Sequence, residues 1–228
     1  MSVWAVIPAK SFGQAKSRLV RLSDDRRVDL ARQLFAHALS CALACETLAG
    51  VLVLTNGDDV AAMARARGAE VLRDPAHAEP SAGRPGHLGR VVDAGLAHLH
   101  TRGATRVVVL MADLPRLATA DIADLVELAR THPMVLAPDV REQGTNALAL
   151  RLSSASRTCF GHADSLQRHL HLAAARGIAV HLHRAPALAL DLDLPTDLEN
   201  LETLESLESP RESLESLGLA EKSPPGVT

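Results

Sequence analysis

Val107-Val108-Val109-Leu110-Met111-Ala112-Asp113-Leu114-Pro115 begins with six consecutive apolar residues and ends in an acid and a proline turn. A run this short, continuous and β-branched reads as a strand buried on both faces rather than as an amphipathic helix. Val3 to Ile7 and Val51 to Thr55 read the same way. Between those two strands the spacing becomes helical. From Asp24 to Cys45, apolar residues such as Leu30, Leu34, Phe35, Ala38 and Leu39 return every three or four positions, with Ser23 or Asp24 placed to cap the helix. Asp58 to Arg67 (ended by Gly68), Leu88 to Arg102 (ended by Gly103) and Ala120 to Thr131 repeat the pattern. Strand alternating with helix predicts an α/β protein with a mainly parallel sheet. In such sheets ligands sit beyond the carboxyl ends of strands, which directs attention to the segments after Ile7, Thr55 and Met111.

The second half is less regular. Val135 to Pro138 and Asn146 to Leu150 read as strands flanking a turn at Gly144. Ser165 to Arg176 is a helix ending at Gly177, Ala179 to His183 a strand, and Leu188 to Leu192 leads into a last helix opened by Pro195 and Thr196. From Glu199 onward Leu-Glu-x triplets recur, with Pro210, Pro224 and Pro225 interrupting them. A period of three drifts off a helix face, so this is read as a turn or two of helix and then a mobile tail. One domain over residues 1–207 and a low-complexity tail over 208–228 are expected.

Composition removes several classes. The 228 residues hold 24 Lys+Arg against 27 Asp+Glu, too even a balance for a bulk electrostatic grip on nucleic acid. Only 2% are aromatic and none is Tyr, so platforms for stacking bases are scarce. Three Cys make neither a disulfide framework nor a zinc cluster. The first residues lack the basic lead of a secretory signal, and no uncharged apolar run nears the ~20 residues a membrane span needs. The expectation is a cytoplasmic globular protein without nucleic-acid or membrane partners.

Five segments could carry chemistry. Pro8-Ala9-Lys10-Ser11-Phe12-Gly13-Gln14-Ala15-Lys16-Ser17-Arg18-Leu19 follows the first strand, and its three cations with Ser and Gly between them suit a phosphate loop. It matches neither of the common glycine-rich nucleotide motifs, and composition alone does not separate it from a solvated basic loop. Asp113 ends a strand, where a carboxylate can hold a divalent cation; Asp-Leu-Pro is also an ordinary turn. Asp191-Leu192-Asp193 puts two carboxylates on one side of an extended chain, and like charges so placed call for a cation between them. Gly144-Thr145-Asn146 and Gly161 to Ser165 offer amide and hydroxyl groups that turn chemistry alone would also explain. Three His-x-His pairs occur, but only His181 and His183 lie on a strand and share a side; with no third ligand near them, zinc is not expected.

In order, Ile7-Pro8-Ala9-Lys10, Ala15-Lys16-Ser17-Arg18-Leu19, Ala112-Asp113-Leu114-Pro115, Ala137-Pro138-Asp139, Gly144-Thr145-Asn146-Ala147, Phe160-Gly161, Arg168-His169 and Leu190-Asp191-Leu192-Asp193-Leu194-Pro195 resemble the 2-phospholactate/phosphoenolpyruvate guanylyltransferases of coenzyme F-420 biosynthesis. The resemblance runs from Trp4 to about Leu201. It implies a glycosyltransferase-A-like, Rossmann-type nucleotidyltransferase fold: a mixed, mainly parallel sheet with helices on both faces. It implies a reaction in which GTP is joined to a small phosphorylated three-carbon acid (2-phospholactate, phosphoenolpyruvate or 3-phosphoglycerate) and pyrophosphate is released. It also implies that Asp113, Asp191 and Asp193 hold Mg²⁺, that Lys16 and Asp113 are catalytic, and that Pro8, Lys10, Lys16, Arg18 and Gly89 contact the nucleotide. Thr145, Gly161 and Ser165 would contact the acceptor acid, and a homodimer is the assembly expected on family grounds. The sequence departs from the family twice. Gly89 stands where an Asn is common, so Arg84 to Gly86 are alternative contacts for base or ribose. The stretch Gly161 to Ser165 is one residue longer than usual. Rival readings are a molybdopterin or sugar-phosphate nucleotidyltransferase of the same fold, and a non-catalytic nucleotide-binding regulatory module.

Overall fold

The computed structural model describes residues 2–16, 19, 22–73, 86–153 and 156–193. The strands are β1 (Val3–Pro8), β2 (Gly50–Leu54), β3 (Glu70–Leu72), β4 (Arg106–Leu110), β5 (Met134–Pro138), β6 (Thr145–Arg151) and β7 (Val180–Leu182). The helices are α1 (Asp24–Leu43), α2 (Asp58–Ala66), α3 (His87–Thr101), α4 (Thr119–Thr131), α5 (Ser165–Ala175) and α6 (Pro186–Ala189). The strands form one sheet in the order β3-β2-β1-β4-β6-β5-β7. β6 runs antiparallel to both its neighbours, β4 and β5; the remaining pairings are parallel.

Helices cover both faces, as expected. On one face Phe35, Ala38 and Leu39 of α1, Val60 and Ala64 of α2 and Ile122 and Leu125 of α4 pack on Ala5, Ile7, Val53 and Val108. On the other, Val92, Leu96 and Leu99 of α3 and Leu166 and Ala173 of α5 pack on Val6, Leu52, Val107 and Leu148. The side chains of β1, β2 and β4 alternate between the two clusters, which is why these strands read as unbroken apolar runs. Each fully buried Leu, such as Leu96 or Leu99, contributes about 1.5–3 kcal/mol through the apolar area it hides.

Element ends follow local chemistry. Ser23 Oγ accepts from Arg26 N–H at 3.4 Å and opens α1. Gly68, Gly103 and Gly177 take the left-handed conformation just beyond α2, α3 and α5. Three elements go beyond the sequence reading: the 3-10 turn Phe12–Gln14, the short edge strand β3 and the single-turn helix α6. Asp191 and Asp193 come after α6 in a segment outside the sheet ladder, which Leu192 N–H ties to Asp113 O at 3.2 Å. The helix expected from Pro195 and the tail expected over 208–228 lie outside the described residues.

One irregularity in the sheet decides where two polar side chains point. Ala137 pairs with Ala147, but Pro138 pairs with Thr145, so Asn146 is an extra residue on β6. Strict alternation from Ala147 would turn Thr145 to the α4 side; the bulge turns it to the α5 side instead.

Candidate active site

The chain leaves β1 at Pro8 and passes over the carboxyl ends of the parallel strands. Phe12 anchors the loop by burying its ring 5.8 Å from that of Phe35. Ser11 Oγ and Phe12 N–H both donate to Asp59 Oδ2, at 3.0 and 2.9 Å. Asp59 sits in the first turn of α2, where an acid reads as an ordinary partner for the helix dipole, and its second role as the loop's tether left no mark in the sequence. Lys16 adopts φ +57°, which a non-glycine residue holds only under constraint. Its side chain is held at the far end by two carboxylates. Lys16 Nζ donates to Asp113 Oδ2 at 2.6 Å and to Asp193 Oδ1 at 3.1 Å, and the side chain is only 7% exposed.

Asp113 comes from the turn after β4, and Asp191 and Asp193 from the segment after α6. Side-chain oxygens of all three lie within 4.8 Å of one another, the sole such cluster of acids, His or Cys among the described residues. Asn146 braces it. Its buried Nδ2 donates to Leu188 O (3.0 Å), Ala189 O (3.1 Å) and Asp191 Oδ1 (3.4 Å), tying α6 and the Asp191 carboxylate to β6. Burial works against the charge on Lys16, but the Asp113 and Asp193 carboxylates outweigh it and raise the ammonium above its ordinary value. Three converging hard oxygen donors with no nitrogen or sulfur ligand suit a divalent cation of the Mg²⁺ type.

A second group gathers at the start of β6 and α5. Thr145 Oγ1 lies 3.1 Å from His169 Nδ1, and Ser165 Oγ donates to Thr145 Oγ1 at 3.4 Å. His169 is fully buried, packed edge-on against Phe160 at 5.0 Å, and its Nε2 accepts from Cys159 N–H at 2.8 Å. The Phe160–Gly161 turn closes over the start of α3: Gly86 N–H donates to Gly161 O and Gly89 N–H to Phe160 O. A Cβ on Gly89 would stand 3.1 Å from Thr158 O and 3.2 Å from Phe160 O, so a side chain here would need this turn to give by a few tenths of an ångström. Of the residues singled out in the sequence, Lys16 meets Asp113 and Asp193, and Thr145 meets Ser165. Lys10 is exposed at the loop's start, Pro8 and Gly89 are buried, and Arg18 and Arg84 lie outside the described residues. Asn146 and His169 are the additions: both fall in stretches singled out in the sequence, but neither is given a role of its own there. Away from this site, the His181–His183 pair does have a third imidazole beside it: His132 stacks on His181 with ring centres 4.5 Å apart.

Burial pushes the His169 imidazole from its ordinary 6.5 down to about 4. As pH falls the unfolded chain takes up this proton first, so stability is whole above about pH 6.5 and is lost towards pH 4, by roughly 3 kcal/mol. Urea unfolding of wild type and His169→Asn between pH 7 and 4.5 should show a steeper loss for wild type.

Comparison with known proteins adds the lineage. The family model described as "Guanylyl transferase CofC like" matches residues 3–225. The chain is 36% identical over 204 residues to the phosphoenolpyruvate guanylyltransferase of Conexibacter woesei, covering 88% of this chain and 87% of that protein. It is 35% identical over 203 residues to the 3-phospho-D-glycerate guanylyltransferase of Phenylobacterium zucineum, covering 85% and 86%. A crystal structure from Desulfovibrio desulfuricans G20, assigned to nucleotide-diphospho-sugar transfer, superposes with a TM-score of 0.74 at 16% identity, covering 95% of this chain and 97% of the other. At that identity the likeness shows the fold alone. No helix among the described residues is long and apolar enough to cross a membrane.

Proposed function

Because this chain belongs to the CofC-like family of guanylyl transferases, we propose that it transfers the guanylyl group of GTP to a phosphorylated three-carbon acid of coenzyme F-420 biosynthesis, phosphoenolpyruvate first among the candidates. The observation that carries this reading is the cluster of Asp113, Asp191 and Asp193 around the Lys16 ammonium at the carboxyl end of the sheet. A molybdopterin or sugar-phosphate acceptor is disfavoured by guanylyltransferase relatives that span most of the chain. A non-catalytic module would have no need of the intact carboxylate set.

A phosphate oxygen of the acid attacks the α-phosphorus of GTP, the bond from that phosphorus to the bridging oxygen of the β-phosphate breaks, and pyrophosphate leaves. The phosphate is already a nucleophile, so the site needs in-line positioning and charge neutralisation rather than a side-chain base. Asp113, Asp191 and Asp193 would hold Mg²⁺, which neutralises phosphate charge and orients the reacting groups. Asn146 keeps the Asp191 carboxylate turned towards its partners. Lys16, held charged by the two aspartates, supplies a fixed cation for the departing pyrophosphate, and Lys10 and Arg18 add charge along the loop. Thr145, Gly161 and Ser165 take the acid's carboxylate or phosphate.

Pyrophosphate release from GTP and Mg²⁺, coupled to pyrophosphatase, tests the reading with 2-phospholactate, phosphoenolpyruvate and 3-phosphoglycerate in turn and ATP as the control nucleotide. Release with one acid and GTP supports it; silence with all three overturns it. The catalytic unit is proposed to end by residue 207, as a cytoplasmic homodimer. Deleting 209–228 should leave both turnover and the sedimentation coefficient of the assembly nearly unchanged, and loss of either would refute that boundary.

A further inference from the structure

The hydrogen bonds around His169 have a direction. The Cys159 backbone N–H can only donate, and it lies 2.8 Å from His169 Nε2, so Nε2 must be the nitrogen with the lone pair. The ring is fully buried and its acidity is shifted well below neutral, so at pH 7 it is uncharged and carries its one proton on Nδ1. Nδ1–H then has two acceptors in reach, the Ser165 backbone carbonyl and Thr145 Oγ1 at 3.1 Å, and a threonine hydroxyl facing an N–H can only accept from it. Ser165 Oγ donates to the same oxygen from 3.4 Å. Both lone pairs of Thr145 Oγ1 are then engaged, and its own proton is left to be given away.

We propose that His169 is a positioning residue for the acceptor acid: by donating from Nδ1 it makes the Thr145 hydroxyl an obligatory donor towards an anionic oxygen. The chemistry selected is a carboxylate or phosphate oxygen, which accepts; a group that must itself donate finds no partner at Thr145. The direction of the chain is set by a backbone amide, which can only donate. The inference rests on Thr145 contacting the acceptor, as proposed above.

Two measurements on the full chain test it. Long-range ¹H–¹⁵N spectra of the ligand-free wild-type protein at pH 7 should show His169 as the Nδ1–H tautomer, its signals identified by their loss in His169→Asn. An Nε2–H tautomer or an imidazolium would overturn the inference, whatever the enzyme turns over. Kinetically, Asn can place an amide nitrogen near Nδ1, whereas Gln places its amide near Nε2. His169→Gln should raise the KM for the acceptor acid by about 10- to 100-fold, the loss expected for one charge-assisted hydrogen bond, with the KM for GTP within about two-fold of wild type. His169→Asn should stay within about three-fold. Thr145→Val should match His169→Gln, and the double variant should be no worse than either. An unmoved acceptor KM in His169→Gln, an equal rise for both substrates, or additive effects in the double variant would each overturn the positioning role while leaving guanylyl transfer intact. Absence of wild-type turnover with any of the three acids would instead overturn the functional reading and this inference together.

Discussion

Asp113→Asn should reduce pyrophosphate release from GTP by about 10³-fold or more while the protein remains folded. Asp113 joins three parts of the site. Its carboxylate belongs to the acidic cluster and binds Lys16 at 2.6 Å, and its backbone oxygen holds Leu192 between the other two acids. Asparagine keeps the shape and the backbone bond but removes one negative charge from the set that would hold the cation. Several kcal/mol of transition-state charge stabilisation are at stake, and about 4 kcal/mol corresponds to ~10³ in rate. The side chain is 23% exposed, so its loss opens no core cavity. Calorimetric Mn²⁺ binding should weaken along with turnover while the circular dichroism spectrum stays unchanged. Turnover near wild type would sink the assignment of Asp113 as a cation ligand.

Lys16→Met should lower kcat by about 10²- to 10³-fold, the range seen when one preorganised charge-stabilising group is removed. It should also change how the protein responds to metal. In the metal-free protein the ammonium separates Asp113 from Asp193. Without it those carboxylates repel across a few ångströms, so the variant should melt lower than wild type, and Mg²⁺ should raise its melting temperature by more. Lys16→Arg should not rescue turnover, because a planar fork does not replace a point charge in a site 7% exposed. The Lys16 ion pairs are whole below the ordinary lysine value of 10.5 and are lost only as pH rises through the higher folded value, so they persist across the working range. Equal melting temperatures with and without metal in both proteins would contradict this account.

The parallel half of the fold is legible in the sequence because its strands are unbroken apolar runs and its helices carry caps and terminal glycines. The three central strands fall within one residue of their expected ends, and Gly68, Gly103 and Gly177 mark the stops. β3 escapes a sequence reading because Glu70-Val71-Leu72 is too short to show alternation and is only partly buried at the sheet edge. α6 escapes it because four residues make a single turn and its Pro at the start reads equally as a loop. The acidic cluster is legible as residue types, since an acid at a strand end and an Asp-x-Asp have few uses together. Its lysine reads as a phosphate ligand alone, because a pairing across 97 and 177 residues of sequence leaves no local trace. Asn146 and His169 look like turn and helix residues until α6 and the Cys159 backbone are folded against them.

The extra residue on β6 has a consequence for how sequences of this kind can drift. Thr145 and Asn146 are adjacent, yet one serves the α5 side and the other the Asp191 side, and the two-against-one pairing at Pro138 lets both do so. Erase that irregularity and the peptide rotates by half a turn: the hydroxyl would face α6 and the amide would face His169, with every contact of each exchanged. Parity is therefore constrained: the count of residues between Ala147 and the chain opposite it cannot change by one without trading the two neighbours' places.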